Sequence, residues 1–212
     1  MRLVKELLDR VLAALAMVLL SPLFAGLALW VLLESGRPVI FRQQRAGKDG
    51  VPFLMHKFRT MVPNAIELGR ELQLSDDPFG LLPNDPRITR SGRFLRRTSL
   101  DELPQLWNVV RGQMSIVGPR PDLVEQVANY EPADRRRLDV KPGITGWAQV
   151  MGRDEIPWEE RFRLDAWYVD HWSLALDARI VLMTFTQLGR PEPEPVEDTL
   201  NIERARRSQT RS

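Results

Sequence analysis

The chain has 212 residues and no cysteine, with 43% hydrophobic and 27% charged residues and a formal net charge of +2. That length and mix allow one substantial domain or two small ones around a core. The lack of thiols excludes disulfides, thiol chemistry and a Cys-based zinc site, and the mild basic bias is too weak to imply nucleic acid by itself.

Val11 to Leu33, "VLAALAMVLLSPLFAGLALWVLL", carries no charge over about 23 residues, long enough to cross a bilayer. It is too long for a signal peptide and lacks a clear small-residue cleavage site after it. Ser21-Pro22 sits near its middle, where proline deletes a backbone hydrogen bond and should kink or break a helix. The Ser21 hydroxyl is suited to rescuing a freed carbonyl. Arg2, Lys5 and Arg10 precede the run, and Arg37, Arg42, Arg45 and Lys48 follow it. The positive-inside rule asks both flanks to stay on the cytoplasmic side. A re-entrant helix satisfies both flanks and a kinked spanning helix satisfies one, so these residues prefer re-entry but leave both geometries open.

Pro38 to Phe58 places short apolar runs around "RAGKDG", which reads as a small β-hairpin with a tight Gly-Lys-Asp-Gly turn. Pro63 to Leu74 reads as helix, and "SDDPFGLLPNDPR" as a polar loop in which Asp85 and Arg87 are placed to pair, with a solvated turn the preferred reading. Leu103 to Arg111 reads as a short helix ended by Gly112. "ADRRRLD" reads as a helix face with a solvated basic run, and "KPGITGWAQV" as a Gly-punctuated turn leading into an extended piece. Trp158 to Trp172 and Asp177 to Leu188 read as helices, the second apolar on most of its surface. Six tryptophans, several late in the chain, suit a membrane interface or ordinary core packing. From Arg190 onward the sequence is Pro-rich and charged, the composition of a disordered tail. The two histidines, His56 and His171, are too few and too far apart for a metal cluster and read as packing or surface residues.

"RRTSLDELPQLWNVV", Arg96 to Val110, supports two readings. Ser99 to Glu102 has the pattern of a capping box, with Ser99 as N-cap and Glu102 reaching back to its N–H, and acids suit the positive end of a helix dipole. Asp101 and Glu102 also form an acidic pair that follows two arginines closely. Arg120, between two prolines in "GPRP", is presented from a stiff loop, and its fork matches phosphate oxygens. Lys57, Arg59, Arg93, Arg96 and Arg97 are further candidate cations. Acids amid rigid cations suit a metal-assisted phosphate site, since Mg²⁺ takes one or two carboxylates plus substrate phosphates. A membrane segment beside it points to a lipid phosphate.

"HKFRTM", "DPRITRSGRFLRRTSLDELPQLWNVVRGQMSIVGPRP" and "KPGITGWAQVMGR" together resemble the bacterial sugar transferase family, the monotopic phosphoglycosyl transferases. The resemblance runs from the N-terminal helix to about Leu188, and without a larger preceding membrane domain the chain looks like a minimal member. It implies an α+β, mainly helical fold: a broken re-entrant membrane helix over 1–36, then a compact catalytic core over 37–189 with a small β-hairpin and interfacial amphipathic helices. The charged tail, 190–212, follows. It implies transfer of a phospho-sugar from a UDP-sugar to polyprenyl (undecaprenyl) phosphate, giving polyprenyl diphosphate-sugar and UMP by a ping-pong route, as the first membrane step of glycoconjugate assembly. By the same resemblance Asp101 is the nucleophile and an Mg²⁺ ligand, and Glu102 its dyad partner. Lys57, Arg96 and Arg120 are basic positions of the site, Arg153, in the region after "GITGWAQV", is a candidate for donor binding, and Ser21-Pro22 is the helix break. The implied partners are UDP-sugar, polyprenyl phosphate and membrane lipid, without nucleic acid and with homo-oligomerisation left open. The implied location is the cytoplasmic face of a bacterial inner membrane. The alternatives are an Mg²⁺-dependent membrane phosphohydrolase, with water as final acceptor, and a basic module docked on anionic lipid without turnover.

Overall fold

The apolar N-terminal run folds as two helices. In the computed structural model, which describes residues 2–71, 85–152 and 156–187, α1 spans Arg2–Leu19 and α2 spans Ser21–Ser35, bent by 65°. The break falls at Leu20, and Pro22 stands in the first turn of α2, where a missing N–H needs no partner. Among the described residues no single helix is long and apolar enough to cross a membrane; α1 and α2 meet that length and composition only as a bent pair. Leu3, Leu7, Leu15, Val18, Leu19 and Leu33 are exposed along this pair.

Next come β1 (Ile40–Ala46) and β2 (Pro52–Phe58), paired antiparallel with Ile40 opposite Phe58 and Ala46 opposite Pro52. The expected turn is present, with Asp49 at φ 57° and Gly50 at φ 75°. Side chains alternate along strands and match across a pair, so Gln43, Arg45, Phe53, Met55 and Lys57 share one face. Phe53 and Met55 on that face are buried with Ala13, Val109 and Met114, so the hairpin faces the core.

The remaining helices are α3 (Ala65–Glu71), α4 (Arg90–Arg97), α5 (Gln105–Val110), α6 (Val124–Ala128), α7 (Trp147–Met151), α8 (Trp158–His171) and α9 (Leu174–Gln187). Short 3₁₀ turns cover Leu100–Glu102 and Asp134–Asp139. β3 (Ser115–Val117) and β4 (Gly143–Thr145) form a parallel pair. The described chain is thus mainly helical with two small sheets. Val117, Val150, Tyr168, Val169 and Ile180 build a second core from β3 and α7 to α9.

Two charged contacts fasten α2 to the rest. The Glu34 carboxylate accepts from the Arg90 and Ser91 N–H groups at 2.7 and 2.8 Å, at the positive end of α4. Arg59 Nη2 donates to the Ser35 and Gly36 carbonyls at 2.6 and 2.7 Å, at the negative end of α2. Gly92, in the first turn of α4, lies so close to the Thr60 carbonyl that a Cβ would collide with it. α4 is thereby pressed against the end of β2.

Three readings of the sequence need correction. Asp85 and Arg87 are each 1% exposed and form a buried ion pair at 2.6 Å, not a solvated turn; their charges neutralise one another. In "ADRRRLD" the residues form a 3₁₀ turn, and Arg137 is buried because two carboxylates from other segments receive it. "GITGWAQV" is a short strand followed by α7, since Gly146 stays extended and ends the strand before Trp147. The Pro63–Leu74 helix is present over Ala65–Glu71, and residues 72–84 lie outside the described ones, as does 190–212. Trp30, Trp107 and Trp167 are exposed, whereas Trp147 and Trp172 pack against the second core.

Candidate active site

Between α4 and α5 the chain reverses at Ser99, whose φ of 57° and ψ of 17° put it in the left-handed region. For a residue with a Cβ that conformation costs roughly 1–2 kcal/mol. It turns the next residues into the 3₁₀ turn that carries Asp101 and Glu102. The capping box does not form: the Ser99 side chain makes no cap hydrogen bond. Glu102 points instead to Lys57 and Arg120, because two cationic donors outcompete one neutral backbone N–H. Helix α5 starts only after Pro104.

Glu102 Oε1 lies 2.8 Å from Lys57 Nζ and 3.1 Å from Arg120 Nη1. Asp101 Oδ2 lies 4.0 Å from the same Lys57 nitrogen, beyond hydrogen-bond reach. The two neighbours therefore differ. Burial pushes Asp101 up to about 6, relieved only in part by Lys57 and worsened by the charge of Glu102. Burial acts on Glu102 in the same sense, but Lys57 and Arg120 outweigh it and hold this carboxyl well below its usual range. One acid is locked as an anion between cations. Its neighbour is an under-solvated base.

Three of the expected cations converge here. Lys57 comes from β2, Arg120 from the Pro119-Arg120-Pro121 loop and Arg96 from the last turn of α4, where its Nε donates to Thr60 Oγ1 at 2.9 Å and its charge still acts on Asp101. Arg59 is committed to the end of α2, and Arg93 and Arg97 are exposed. Arg153 lies outside the described residues. Among the described residues no three His, Cys, Asp or Glu side chains come together as a metal cluster. His56 contacts Asn108 and His171 stacks on Trp167, both away from Asp101 in role.

Two arginines were not singled out by the sequence. Arg45 shares the hairpin face of Lys57 and donates to Gln43 Oε1 at 2.7 Å and to the Pro121 carbonyl at 3.3 Å. Burial, then the charge of Arg120, brings it down to about 10. The alternation Gln43, Arg45 on a strand opposite the Lys57 strand is the signal that points to it. Arg137 donates to Asp122, to Asp165 at 2.7 Å, to Tyr130 at 2.6 Å and to the Arg120 carbonyl at 2.9 Å. It braces the backbone that presents Arg120.

A cavity of about 440 Å³ opens beside these groups. Glu102 and Arg120 line one part, Leu12, Ala16, Leu106 and Phe185 form an apolar wall, and Gln149 and Asp165 add polar lining. An unequal acid pair and converging cations beside a mainly apolar cavity with a polar part are the features of an enzyme site. The chain belongs to the bacterial sugar transferase family, whose profile matches residues 1–190. It is 48% identical over 154 residues to the uncharacterized sugar transferase EpsL of Bacillus subtilis, covering 73% of this chain and 71% of that protein. It is 42% identical over 192 residues to the undecaprenyl-phosphate galactose phosphotransferase of Salmonella typhimurium, covering 86% of this chain and 40% of that one. Identity is 46% over 191 residues to the UDP-glucose:undecaprenyl-phosphate glucose-1-phosphate transferase of Escherichia coli, covering 86% and 39%. The chain thus spans about two-fifths of the length of the last two relatives.

Proposed function

We propose that this chain transfers a phospho-sugar from a UDP-sugar to polyprenyl phosphate in two displacements at Asp101. The observation that carries this reading is the division within the pair: Glu102 takes Lys57 and Arg120, leaving Asp101 basic and without a hydrogen-bonded cation. The relatives' names supply the substrate class. In the first displacement an Asp101 oxygen attacks the sugar-bearing phosphorus, the bond to the bridging oxygen breaks, and UMP leaves with that oxygen. The product on the protein is an acyl phosphate. In the second, an oxygen of the lipid phosphate attacks the same phosphorus and Asp101 leaves as a carboxylate. One diphosphate ester replaces another, so little free energy must be supplied. Lys57 and Arg120 hold the negative charge that would otherwise repel the incoming anion.

Two adjacent carboxylates suit a hard cation whose remaining ligands come from substrate phosphates, so Asp101 and Glu102 would hold Mg²⁺. Bound there, it would neutralise diphosphate charge. Residues 1–36 serve as a re-entrant membrane hairpin and 37–189 as the catalytic unit on the cytoplasmic face of the inner membrane. The 65° bend and basic residues on both flanks support that placement.

The test is a panel starting with UDP-glucose and UDP-galactose. Without lipid acceptor, the protein should release up to one UMP per site and retain a phospho-sugar, seen as added mass on the intact chain. Adding undecaprenyl phosphate should discharge it as sugar-lipid. Release of free sugar phosphate would instead make the protein a phosphohydrolase. Because the chain has no cysteine, single cysteines at Leu3 and Asp49 report topology cleanly. Re-entry requires both to stay protected in intact cells from a reagent that cannot cross the inner membrane and both to react in inverted membrane vesicles; labelling of one alone in either case would refute it.

A further inference from the structure

The cavity is not uniformly cationic. At Glu102 it is lined by Arg120, which suits phosphate, and Lys57 pairs with the same carboxylate. Its lining by α7 and α8 is different in kind. Gln149 Nε2 donates to the Ile144 carbonyl at 3.2 Å, which fixes the amide orientation, since a flipped amide would set two acceptors face to face. Gln149 Oε1 is then a buried acceptor with no partner. Asp165, 2% exposed, gives Oδ2 to Arg137 at 2.7 Å, and its Oδ1 is likewise buried with no partner. Arg137 also pairs with Asp122. Burial pushes Asp165 up to about 6, opposed first by Arg137 and less by Arg161 on α8. Buried acceptors without donors are rare in folded proteins and each needs an explanation.

Both residues line the cavity that also holds Glu102 and Arg120. Orphaned acceptors ask for hydroxyl or N–H donors, which a phosphate does not bring. A nucleotide sugar carries its diphosphate between two hydroxyl-bearing rings. With the diphosphate at Arg120, one of those rings can lie along α7 and α8. We propose that Gln149 and Asp165 form a hydroxyl-binding subsite for the nucleotide-sugar donor, with Gln149 Oε1 and Asp165 Oδ1 accepting from ring hydroxyls. This rests on the donor class given above, and it assigns the parts of the cavity: phosphate by Arg120 and Lys57, polyol by Gln149 and Asp165.

The experiment measures equilibrium binding, so that turnover does not enter. Asp101→Asn protein is the parent, and UDP-glucose, UDP-galactose and UDP are the probes. Asp165→Asn keeps an oxygen for Arg137 and turns an amide N–H₂ into the cavity, replacing an acceptor by a donor. Gln149→Leu removes the other acceptor at similar size. Each should weaken binding of the preferred UDP-sugar at least tenfold, while the melting temperature holds or, for Asp165→Asn, rises. Unchanged UDP affinity assigns the hydroxyls to the transferred sugar; an equal loss for UDP assigns them to the ribose. Two variants that melt normally and bind UDP-sugar and UDP like the parent would overturn the subsite. A parent that binds neither UDP-sugar would overturn the subsite and the donor class together. Intact binding with no adduct on wild-type Asp101 would overturn only the covalent reaction.

Discussion

Asp101–Glu102 and Asp122–Asp165 are both buried carboxylate pairs met by cations, yet they are built to opposite ends. In the first, Lys57 and Arg120 both converge on Glu102, and Asp101 is left with a cation 4.0 Å away. In the second, a single Arg137 is donor to both acids and also to Tyr130 and the Arg120 carbonyl. Burial alone would bring Arg137 down, but Asp122 and Asp165 outweigh it and keep its charge secure. The lesson is that burial and ion pairing do not mark a reactive acid. In the proposed reaction, what sets Asp101 apart is that the donors are aimed past it at a neighbour. The Arg137 group commits its donors to holding the loop that carries Arg120.

The largest expected effect tests that contrast at its reactive end. Asp101→Asn should lower UMP release by roughly 10⁴-fold or more, the scale of losing a nucleophile, and abolish the mass adduct. A folded Asp101→Asn protein that still carries phospho-sugar would end the contrast. Arg137→Met should act on the other side, leaving two buried acids uncompensated at a cost of about 3–5 kcal/mol, read as a lower urea midpoint. An unchanged midpoint would show that the second group is not a brace. Arg120→Ala removes a charge-assisted contact from a side chain that is 46% exposed. It should slow turnover roughly ten- to hundredfold with little change in melting.

The smallest effect concerns pH. Asp101 has a folded pKa of about 6 against an ordinary 3.8, so the folded state holds this proton more tightly than the unfolded chain. Its contribution to stability is fully present below about 4 and is lost as pH rises through about 6. At pH 8, without metal or substrate, Asp101→Asn should therefore be the more stable protein by about 1–3 kcal/mol. The advantage should vanish near pH 4. A variant no more stable at pH 8 would mean that Asp101 is better solvated than its burial implies.

Much of this arrangement could be read from local sequence, and some could not. The hairpin was legible because "GKDG" demands positive φ between two extended runs, and the helix break because Pro22 cannot continue α1. β3 and β4 were not, since three-residue strands have no periodicity to detect and their pairing joins Ser115 to Gly143. Lys57 and Glu102 are 45 positions apart, so only the resemblance of whole motifs linked them. In "RRR" the exposed Arg136 fits the usual solvated role, while Arg137 is buried for reasons that lie 15 and 28 residues away at Asp122 and Asp165. Asp85 and Arg87, two residues apart, were legible as a candidate pair; their burial is what no local pattern announced.

The Glu34 contact gives the molecule a lever. Glu34 lies in the last turn of α2 and grips the first N–H groups of α4, an eight-residue rod about 12 Å long. The far end of that rod is separated from the left-handed Ser99 by one residue, and Asp101 stands two further on. In the proposed reaction, a change in the tilt of α2 would be passed along that rod towards Asp101. For a hairpin seated in lipid, the tilt answers to bilayer thickness. If the proposed placement holds, the bent helix pair would act as a depth gauge for Asp101.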